Sequence, residues 1–240
     1  VSASSADNFQ CLGGNDVTVM GAHFSGRDYS QWLRIGGTAS EGLEWVSSSS
    51  VVALPSHGVR GTRRLVLTDG MQFGTMTVLV SYDSGALSVL QPDNAPPTGT
   101  FEVSVLGQHF GTRDYSPKLR VGVQYVPAFG SHMIGTVCES SVWLSESVVV
   151  CSVPRSIRAT WSLVVSVGET VGTLTTLLSY NIPSVSSTCA DNSATTASVF
   201  VTVTGAHMGA RAYTQQVRVG GTHPECSVWV SASTITTQLA

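Results

Sequence analysis

Three histidines at equivalent positions are the residues of this chain whose chemistry stands out first. An imidazole can bind a metal ion or act as an acid or base near neutral pH. The histidines lie in three copies of a ten-residue segment, the signature, which begin at Gly21, Gly107 and Gly205 and contain His23, His109 and His207. Each repeat unit carries only one such histidine, so in a strung-out array the three cannot form one site. A packing or turn role is favoured for each.

The other recurrent residues also argue against catalysis. Arg27-Asp28 and Arg113-Asp114 are candidates for local ion pairs, but the third copy reads Arg211-Ala212, a change that an acid–base role would not tolerate. The sequence has no Gly-x-Ser-x-Gly elbow, Walker loop, His-Glu-x-x-His or Gly-x-Gly-x-x-Gly. A single acid at each of Asp7, Asp93 and Asp191 is too few for a calcium site. We therefore expect no enzyme activity, no metal and no cofactor.

Aromatic and arginine residues recur with the signature and are predicted to be structural. They are Tyr29, Tyr115 and Tyr213, Arg34, Arg120 and Arg218, and Trp45, Trp143 and Trp229. Each tryptophan is interpreted as a core or rim anchor, with stacking on a carbohydrate as the alternative. Each arginine is expected to bond local carbonyls or an aspartate, with binding of a carbohydrate or partner as the alternative.

Two cysteines of the second unit are predicted to form a disulfide. Cys138 and Cys151 flank Trp143, and the first unit has Ser40 and Ala53 in their places. Loss of both thiols together is what a bonded pair predicts, and we expect the bond to join neighbouring strands. Free buried cysteines are the alternative.

The remaining cysteines indicate the compartment rather than a site. Cys226 would pair with Cys189 or with a cysteine beyond Ala240, and Cys11 has no evident partner. No Cys-x2-Cys pair is present, which argues against zinc and for an oxidising, extracellular setting.

Short β-branched stretches bounded by Gly, Pro, Asn or Ser must position these residues. Val17-Thr18-Val19-Met20 and Leu65-Val66-Leu67-Thr68 are examples, and several stretches alternate apolar and hydroxyl side chains as half-buried strands do. No segment has a convincing helical period. Many short strands within about 90 residues predict an all-β fold of antiparallel sandwiches.

The spacing of the copies predicts two complete units and part of a third, at residues 1–92, 93–190 and 191–240. The signature glycines are 86 and then 98 residues apart, and the difference is one 12-residue insertion in the second unit near residues 123–137. The chain is expected to be a window from a longer array. The insertion is apolar for a surface loop. It either folds over its own sandwich or presents a docking surface made of Tyr125, Phe129, Met133 and Ile134.

Charge and hydropathy exclude several classes of partner. Charged residues make up 11% of the chain and the net charge is −3, so nucleic-acid binding has little support. No apolar run is long enough for a membrane span, so no membrane insertion is expected within this window. The abundant Ser and Thr suit strand surfaces and equally O-linked glycans.

The motifs in their order resemble the IPT/TIG domain. A Val-Thr-Val-x-Gly-x-x-Phe strand precedes Arg-Val-Gly-Gly and Trp-x-Ser, and Ser179-Tyr180-Asn181-Ile182-Pro183 closes the second unit. The resemblance implies tandem immunoglobulin-like (E-set) modules of a large extracellular protein, as in plexin-type receptors and fibrocystin-like surface proteins. The added His-Phe-x-x-Arg-Asp-Tyr-Ser run looks more like algal and protist surface proteins, including flagellar-surface glycoproteins.

The expected function is a structural or adhesive segment at the cell surface, including the ciliary or flagellar surface. Rigid modules would set spacing and present lateral faces to neighbouring modules of the same or sister chains. The alternatives are a ligand- or carbohydrate-recognition ectodomain of a receptor, and an accessory module of a secreted enzyme.

Overall fold

The described part of the chain is entirely β. In the computed structural model the backbone is described except at residues 60, 76–79, 127–131, 158–159, 169, 190–198 and 240. Side chains are further left undescribed at 123–126, 132–134, 170 and 175–177. The described residues form 23 strands and no helix. None of the described segments is an apolar helix of membrane-spanning length.

The first sandwich is built from ten strands. They are β1 Ala3–Ser4, β2 Asn8–Phe9, β3 Val17–Met20, β4 Trp32–Ile35, β5 Thr38–Ala39, β6 Gly42–Ser47, β7 Ser50–Leu54, β8 Leu65–Asp69, β9 Gln72–Thr75 and β10 Ser81–Tyr82. The sheet β1-β3-β7-β6 faces the sheet β5-β4-β8-β9, and β2 pairs with β10 in parallel. Alternate residues such as Val19, Leu33 and Leu65 are buried between the sheets, as the period-two pattern predicts.

The second sandwich repeats this plan. Its strands are β11 Ala86–Gln91, β12 Asn94–Ala95, β13 Phe101–Gln108, β14 Lys118–Val126, β15 His132–Val137, β16 Ser140–Ser145, β17 Val148–Val153, β18 Thr160–Val167 and β19 Thr170–Tyr180. They form the sheets β11-β13-β17-β16 and β12-β19-β18-β14-β15. The short β12 again runs parallel to the closing strand, here β19.

The described residues at the two ends of the 12-residue insertion lengthen a β-hairpin. Strands β14 and β15 stay paired beyond Val121, with Tyr125 opposite Met133, after a register shift between Val121 and Gln124. Ile134 lies on β15 opposite Gln124, and Phe129 lies outside the described residues. The backbone therefore extends the edge of the five-stranded sheet.

The third unit contributes one described sheet. Its strands are β20 Ser184–Thr188, β21 Phe200–Ala206, β22 Cys226–Ser231 and β23 Thr234–Gln238, in the order β20-β21-β23-β22. Cys189 follows one edge strand and Cys226 begins the other edge strand, so two strands separate them. Strands lie about 4.8 Å apart, and a disulfide needs Cα atoms within about 7 Å. The pairing of Cys226 with Cys189 is therefore excluded, and both thiols are free and exposed.

The Cys138–Cys151 disulfide is present and connects the two sheets of the second sandwich. Its Cα atoms are 6.0 Å apart. Cys151 lies on β17, whereas the backbone of Cys138 bonds to Leu119 on β14 of the opposite sheet. We expected the bond to join neighbouring strands, whereas Cys138 lies between strands, where the chain crosses from β15 to β16.

Strand pairing places the links between units earlier than the Asx pairs indicated. Strand β11 pairs with β13 and β20 pairs with β21, so both belong to the unit that follows them. Only residues 83–85 lie between β10 and β11, and only residues 181–183 between β19 and β20. We call these segments the first and second joints.

Candidate functional site

The signature folds into the same loop in all three units. Each histidine has a left-handed backbone, with φ of 63°, 64° and 62° at His23, His109 and His207. A second left-handed residue follows seven positions later, at Ser30, Ser116 and Thr214. Non-glycine residues rarely adopt this conformation, so its recurrence shows a loop fixed by its surroundings.

A tryptophan indole holds this loop from the neighbouring strand. Trp45 Nε1 donates to the Phe24 carbonyl at 2.9 Å, and Trp229 Nε1 donates to the Met208 carbonyl at 3.1 Å. Trp143 occupies the same place, but its buried Nε1 has no hydrogen-bond partner among the described residues. All three tryptophans pack half-buried against the core of their own unit. A structural role for these tryptophans, as a core or rim anchor, remains our interpretation.

The arginine and aspartate of the signature do not pair with each other in the described structure. Arg27, Arg113 and Arg211 instead lie 5.8, 5.3 and 5.1 Å from the ring centres of Tyr29, Tyr115 and Tyr213. The Asp28 and Asp114 carboxylates accept the backbone N–H two residues later, each at 2.7 Å. The acids therefore shape the turn, as Asx turns do, and the expected Arg–Asp ion pairs are absent from the described residues.

The recurrent arginines were expected in the middle of strands, which holds for two of the three, and none of their side chains bonds to a described residue. Arg34 and Arg120 are on β4 and β14, and Arg218 precedes an isolated bridge at Val219. Within the described part of the chain, no hydrogen bond or ion pair involves these three side chains, so the expected bonds to carbonyls or Asp are not seen.

The first residue after each joint is pressed against the signature glycine of the unit that it begins. A β-carbon on Gly107 would overlap the carbonyl oxygen of Ala86, and one on Gly205 would overlap that of Ser184. Gly172 on β19 similarly touches the Gly85 carbonyl. Glycine at these places allows a backbone approach that no other residue permits, which explains why the signature begins with it.

The signature histidine meets the first residue of the joint before it. His109 Nε2 lies 3.9 Å from an Asp83 carboxylate oxygen, and His207 Nε2 lies 3.4 Å from Asn181 Nδ2. Asp83 and Asn181 are equivalent residues, and each also accepts a hydrogen bond from the side chain of Asn8 or Asn94 of its own unit. The two joints thus share one contact.

The first joint also buries part of the first unit in the core of the second. Cys11 and Val59 belong to the same hydrophobic cluster as Phe110 of the signature. Cys11 Sγ lies 3.4 Å from His109 Nδ1. Sequence comparison missed Cys11, Val59 and Asp83 because they lie in the unit or joint before the signature that they contact.

Cys11, His109 and Asp83 form a thiol–imidazole–carboxylate line that resembles a nucleophilic triad. Cys11 is 0% exposed. Burial raises the pKa of the Cys11 thiol, and the negative charge of Glu146 raises it further. A nucleophile must be an accessible thiolate, whereas this thiol is enclosed and kept protonated. Cys11, His109 and Asp83 therefore have a packing role.

A tyrosine closes the end of each complete sandwich. Tyr82 OH donates to the Ser56 carbonyl at 2.9 Å and Tyr180 OH donates to the Pro154 carbonyl at 2.7 Å. Burial raises the pKa of Tyr82, and it raises the pKa of Tyr180 to about 12. Both phenols therefore remain neutral donors and fix the strand that leads into the joint.

Metal binding finds no support in the described residues, which contain no group of three or more His, Cys, Asp or Glu side chains. Asp191 lies outside the described residues.

An exposed aromatic pair lies away from the joints, on the outer face of the first sandwich. Trp32 is opposite Thr68, which is opposite Phe73, so the three share one row across β4, β8 and β9. Trp32 is 61% exposed and Phe73 is 74% exposed. The search for recurrent residues missed them because Lys118 stands in the place of Trp32 in the second unit.

Comparison with known proteins shows which family the first sandwich resembles. The IPT/TIG domain family matches residues 1–82, a span that ends at Tyr82 before the first joint. No curated protein sequence matches the chain.

Solved structures of similar fold come from several surface proteins. The Yersinia pseudotuberculosis adhesin InvE is 13% identical over 96% of this chain and 71% of its own, with a TM-score of 0.37. The surface glycan-binding protein PbSGBP-B from Prevotella bryantii is 11% identical over 72% of this chain and 38% of its own, at 0.47. The plexin A4 extracellular region is 15% identical over 98% of this chain and 20% of its own, at 0.34. The chain thus spans well under two thirds of the last two proteins. Its fold is that of tandem β-sandwiches, the first of which is similar to the immunoglobulin-like IPT/TIG domain.

Proposed function

We propose that this chain is a rigid spacer in an extracellular, cell-surface repeat protein without enzyme activity. The observation that carries the proposal is the repeated joint: it is three residues long, and the signature histidine of the following unit contacts its first residue. Domains that move independently are joined by flexible linkers with few contacts. Here the linker is short and packed, which favours fixed angles between successive sandwiches.

The disulfide and the extended hairpin support the finer parts of the proposal. Disulfides persist in oxidising compartments outside the cytosol. The β14–β15 hairpin ends in the edge strand β15, and an edge offers unpaired backbone groups to a neighbour. We place lateral contacts with sister chains there, through the segment that contains Tyr125, Phe129, Met133 and Ile134. A ciliary or flagellar surface and O-linked glycans belong to the same proposal.

Alkylation of Cys11 tests whether the first joint stays closed. Iodoacetamide should modify the exposed Cys189 and Cys226 readily and Cys11 at least ~100-fold more slowly, as expected for a contact that opens at a cost of about 3 kcal/mol. Inserting Gly-Ser-Gly-Ser between Gly85 and Ala86 should raise the Cys11 rate at least ~10-fold. Peptide mass spectrometry measures each site.

The matched control is the same insertion between Pro183 and Ser184 in the second joint, which should leave the Cys11 rate unchanged. Reaction of Cys11 as fast as Cys189 in the unaltered chain would show that the first joint is open and that the chain is not a rigid spacer.

A second candidate function, carbohydrate recognition, is favoured by the Trp32–Thr68–Phe73 row. The two rings are about 10 Å apart, which is two strand spacings. Exposed aromatic faces stack on the apolar faces of sugar rings, and a threonine hydroxyl between them offers a hydrogen bond.

Titration with a neutral β-linked gluco-oligosaccharide tests this platform. Trp32→Ala should weaken binding about tenfold through loss of roughly 1.5 kcal/mol of stacking, whereas Trp32→Phe should retain most of it. Chemical-shift changes of the β4, β8 and β9 amides report the site. Equal binding by Trp32→Ala, or no binding by the unaltered chain, would rule out carbohydrate recognition here.

A further inference from the structure

The signature loop of the first sandwich has the shape of the other two but lies open. Tyr29 is 56% exposed and His23 is exposed. Their equivalents at the joints are half-buried, namely His109, His207, Tyr115 and Tyr213. The difference follows from the preceding unit, which covers the second and third loops.

We propose that the His23 loop is a docking site for the end of another sandwich of this type, one whose closing strand ends in Ser-Tyr-Asn as at Ser179-Tyr180-Asn181. This inference rests on the proposed spacer function and assigns the residues that receive the next module.

The open loop is already built for docking. His23 keeps its left-handed backbone, Trp45 holds the Phe24 carbonyl, and Arg27 lies over the Tyr29 ring without any neighbour present. The loop shape is therefore a property of the first sandwich itself. A preformed surface loses little conformational freedom on binding.

A histidine side chain can donate or accept a hydrogen bond, so the same loop can contact sandwich ends that carry either Asp or Asn. At the first joint Nε2 lies 3.9 Å from a carboxylate oxygen of Asp83, which can only accept, whereas at the second joint it faces the Asn181 amide nitrogen, which can only donate. Asn181 Oδ1 is already engaged by Asn94, which turns the Asn181 amide nitrogen towards the histidine. A neutral imidazole supplies one donor and one acceptor nitrogen.

The residue two positions after the histidine determines which sandwich end fits the loop, and in the first sandwich it favours the end that carries asparagine, as at Asn181. At the first joint this residue is Gly111, and a β-carbon there would clash with Tyr115 of its own unit and with Val59 of the preceding unit. At the second joint it is Gly209, where a β-carbon would approach only Tyr213 and Gln215 of its own unit. Ile157, the equivalent of Val59, is 51% exposed. The first sandwich has Ser25 at this place, so its β-carbon would oppose an end that carries a residue placed like Val59 and would be accommodated by an end like the second.

The test adds one more sandwich before Val1 of the full chain. A copy of residues 86–184, which contains the whole second sandwich from β11 to β19, is fused before Val1, in the register in which Ser184 precedes Val185, the counterpart of Val1. Diethyl pyrocarbonate should then modify His23 at least ~5-fold more slowly than in the 240-residue chain. A Gly-Ser-Gly-Ser insertion before Val1 should restore the rate. An unchanged His23 rate in the uninterrupted fusion would overturn the docking site.

A second fusion tests the choice of end. A copy of residues 1–86 before Val1 brings the Val59 type of end to Ser25, and His23 should stay reactive. Equal protection by both fusions would overturn the preference for asparagine. Alkylation of Cys11 in the same samples separates the two proposals. If Cys11 is protected and His23 is reactive in the uninterrupted fusion, only the docking site is contradicted. If Cys11 is reactive, the spacer function is contradicted.

Discussion

Gly107→Ala is expected to lower the free energy of unfolding of the second sandwich by about 3 kcal/mol, the upper range for forced overpacking. The backbone of Gly107 is not left-handed, so the effect is steric: the new β-carbon would overlap the Ala86 carbonyl. Either β11 separates from β13 or the first joint moves. Urea unfolding measures the stability, and hydrogen exchange of β11 and β13 amides shows where it is lost.

Gly26→Ala is the matched control within the signature. An added β-carbon there meets nothing within 4 Å, so the stability should change by less than ~0.5 kcal/mol. Equal stability of the Gly107 and Gly26 variants would show that the start of β11 does not press on the signature glycine.

Removing the Cys138–Cys151 disulfide is expected to cost the second sandwich about 3 kcal/mol, the value for a closed loop of this size. The two cysteines are 13 residues apart. The first sandwich supplies natural replacements at the equivalent positions, so the variant is Cys138→Ser with Cys151→Ala. Exchange of the β13 and β17 amides should accelerate, while that of β3 and β7 in the first sandwich stays constant.

Reduction of the unaltered chain is the control that changes no residue. It should reproduce most of the loss, because the bond rather than the sulfur volume provides the stabilisation. An oxidised chain and a double variant that unfold at the same urea concentration would contradict this account.

The strands and their repetition could be predicted because burial leaves a period-two pattern in the sequence. Val17 and Val19 on β3, and Val103 and Val105 on β13, are buried as that pattern requires. The disulfide could be proposed because its two cysteines are absent together from the first unit.

The joints could not be predicted from the same pattern. The alternation of apolar and polar side chains indicates which residues of β11 are buried, but it does not indicate which sheet β11 belongs to. The Asx pairs were therefore the only signal, and they suggested a boundary after residue 92. The contact of His109 with Asp83 could not be predicted by comparing the repeats either. Comparing repeats aligns each residue with its own copies, whereas this contact joins different positions of successive units.

The parallel pairs β2–β10 and β12–β19 determine how tension passes through the array. Each sandwich is entered near the first strand of such a pair and left by the second, with Asp7 O bonded to Ser81 N and Phe9 O bonded to Asp83 N, both at 2.9 Å. Pulling the two ends apart slides these strands along one another in shear. The bonds are then loaded together rather than one after another, in the first sandwich and, through Asp93 and Ala95, in the second.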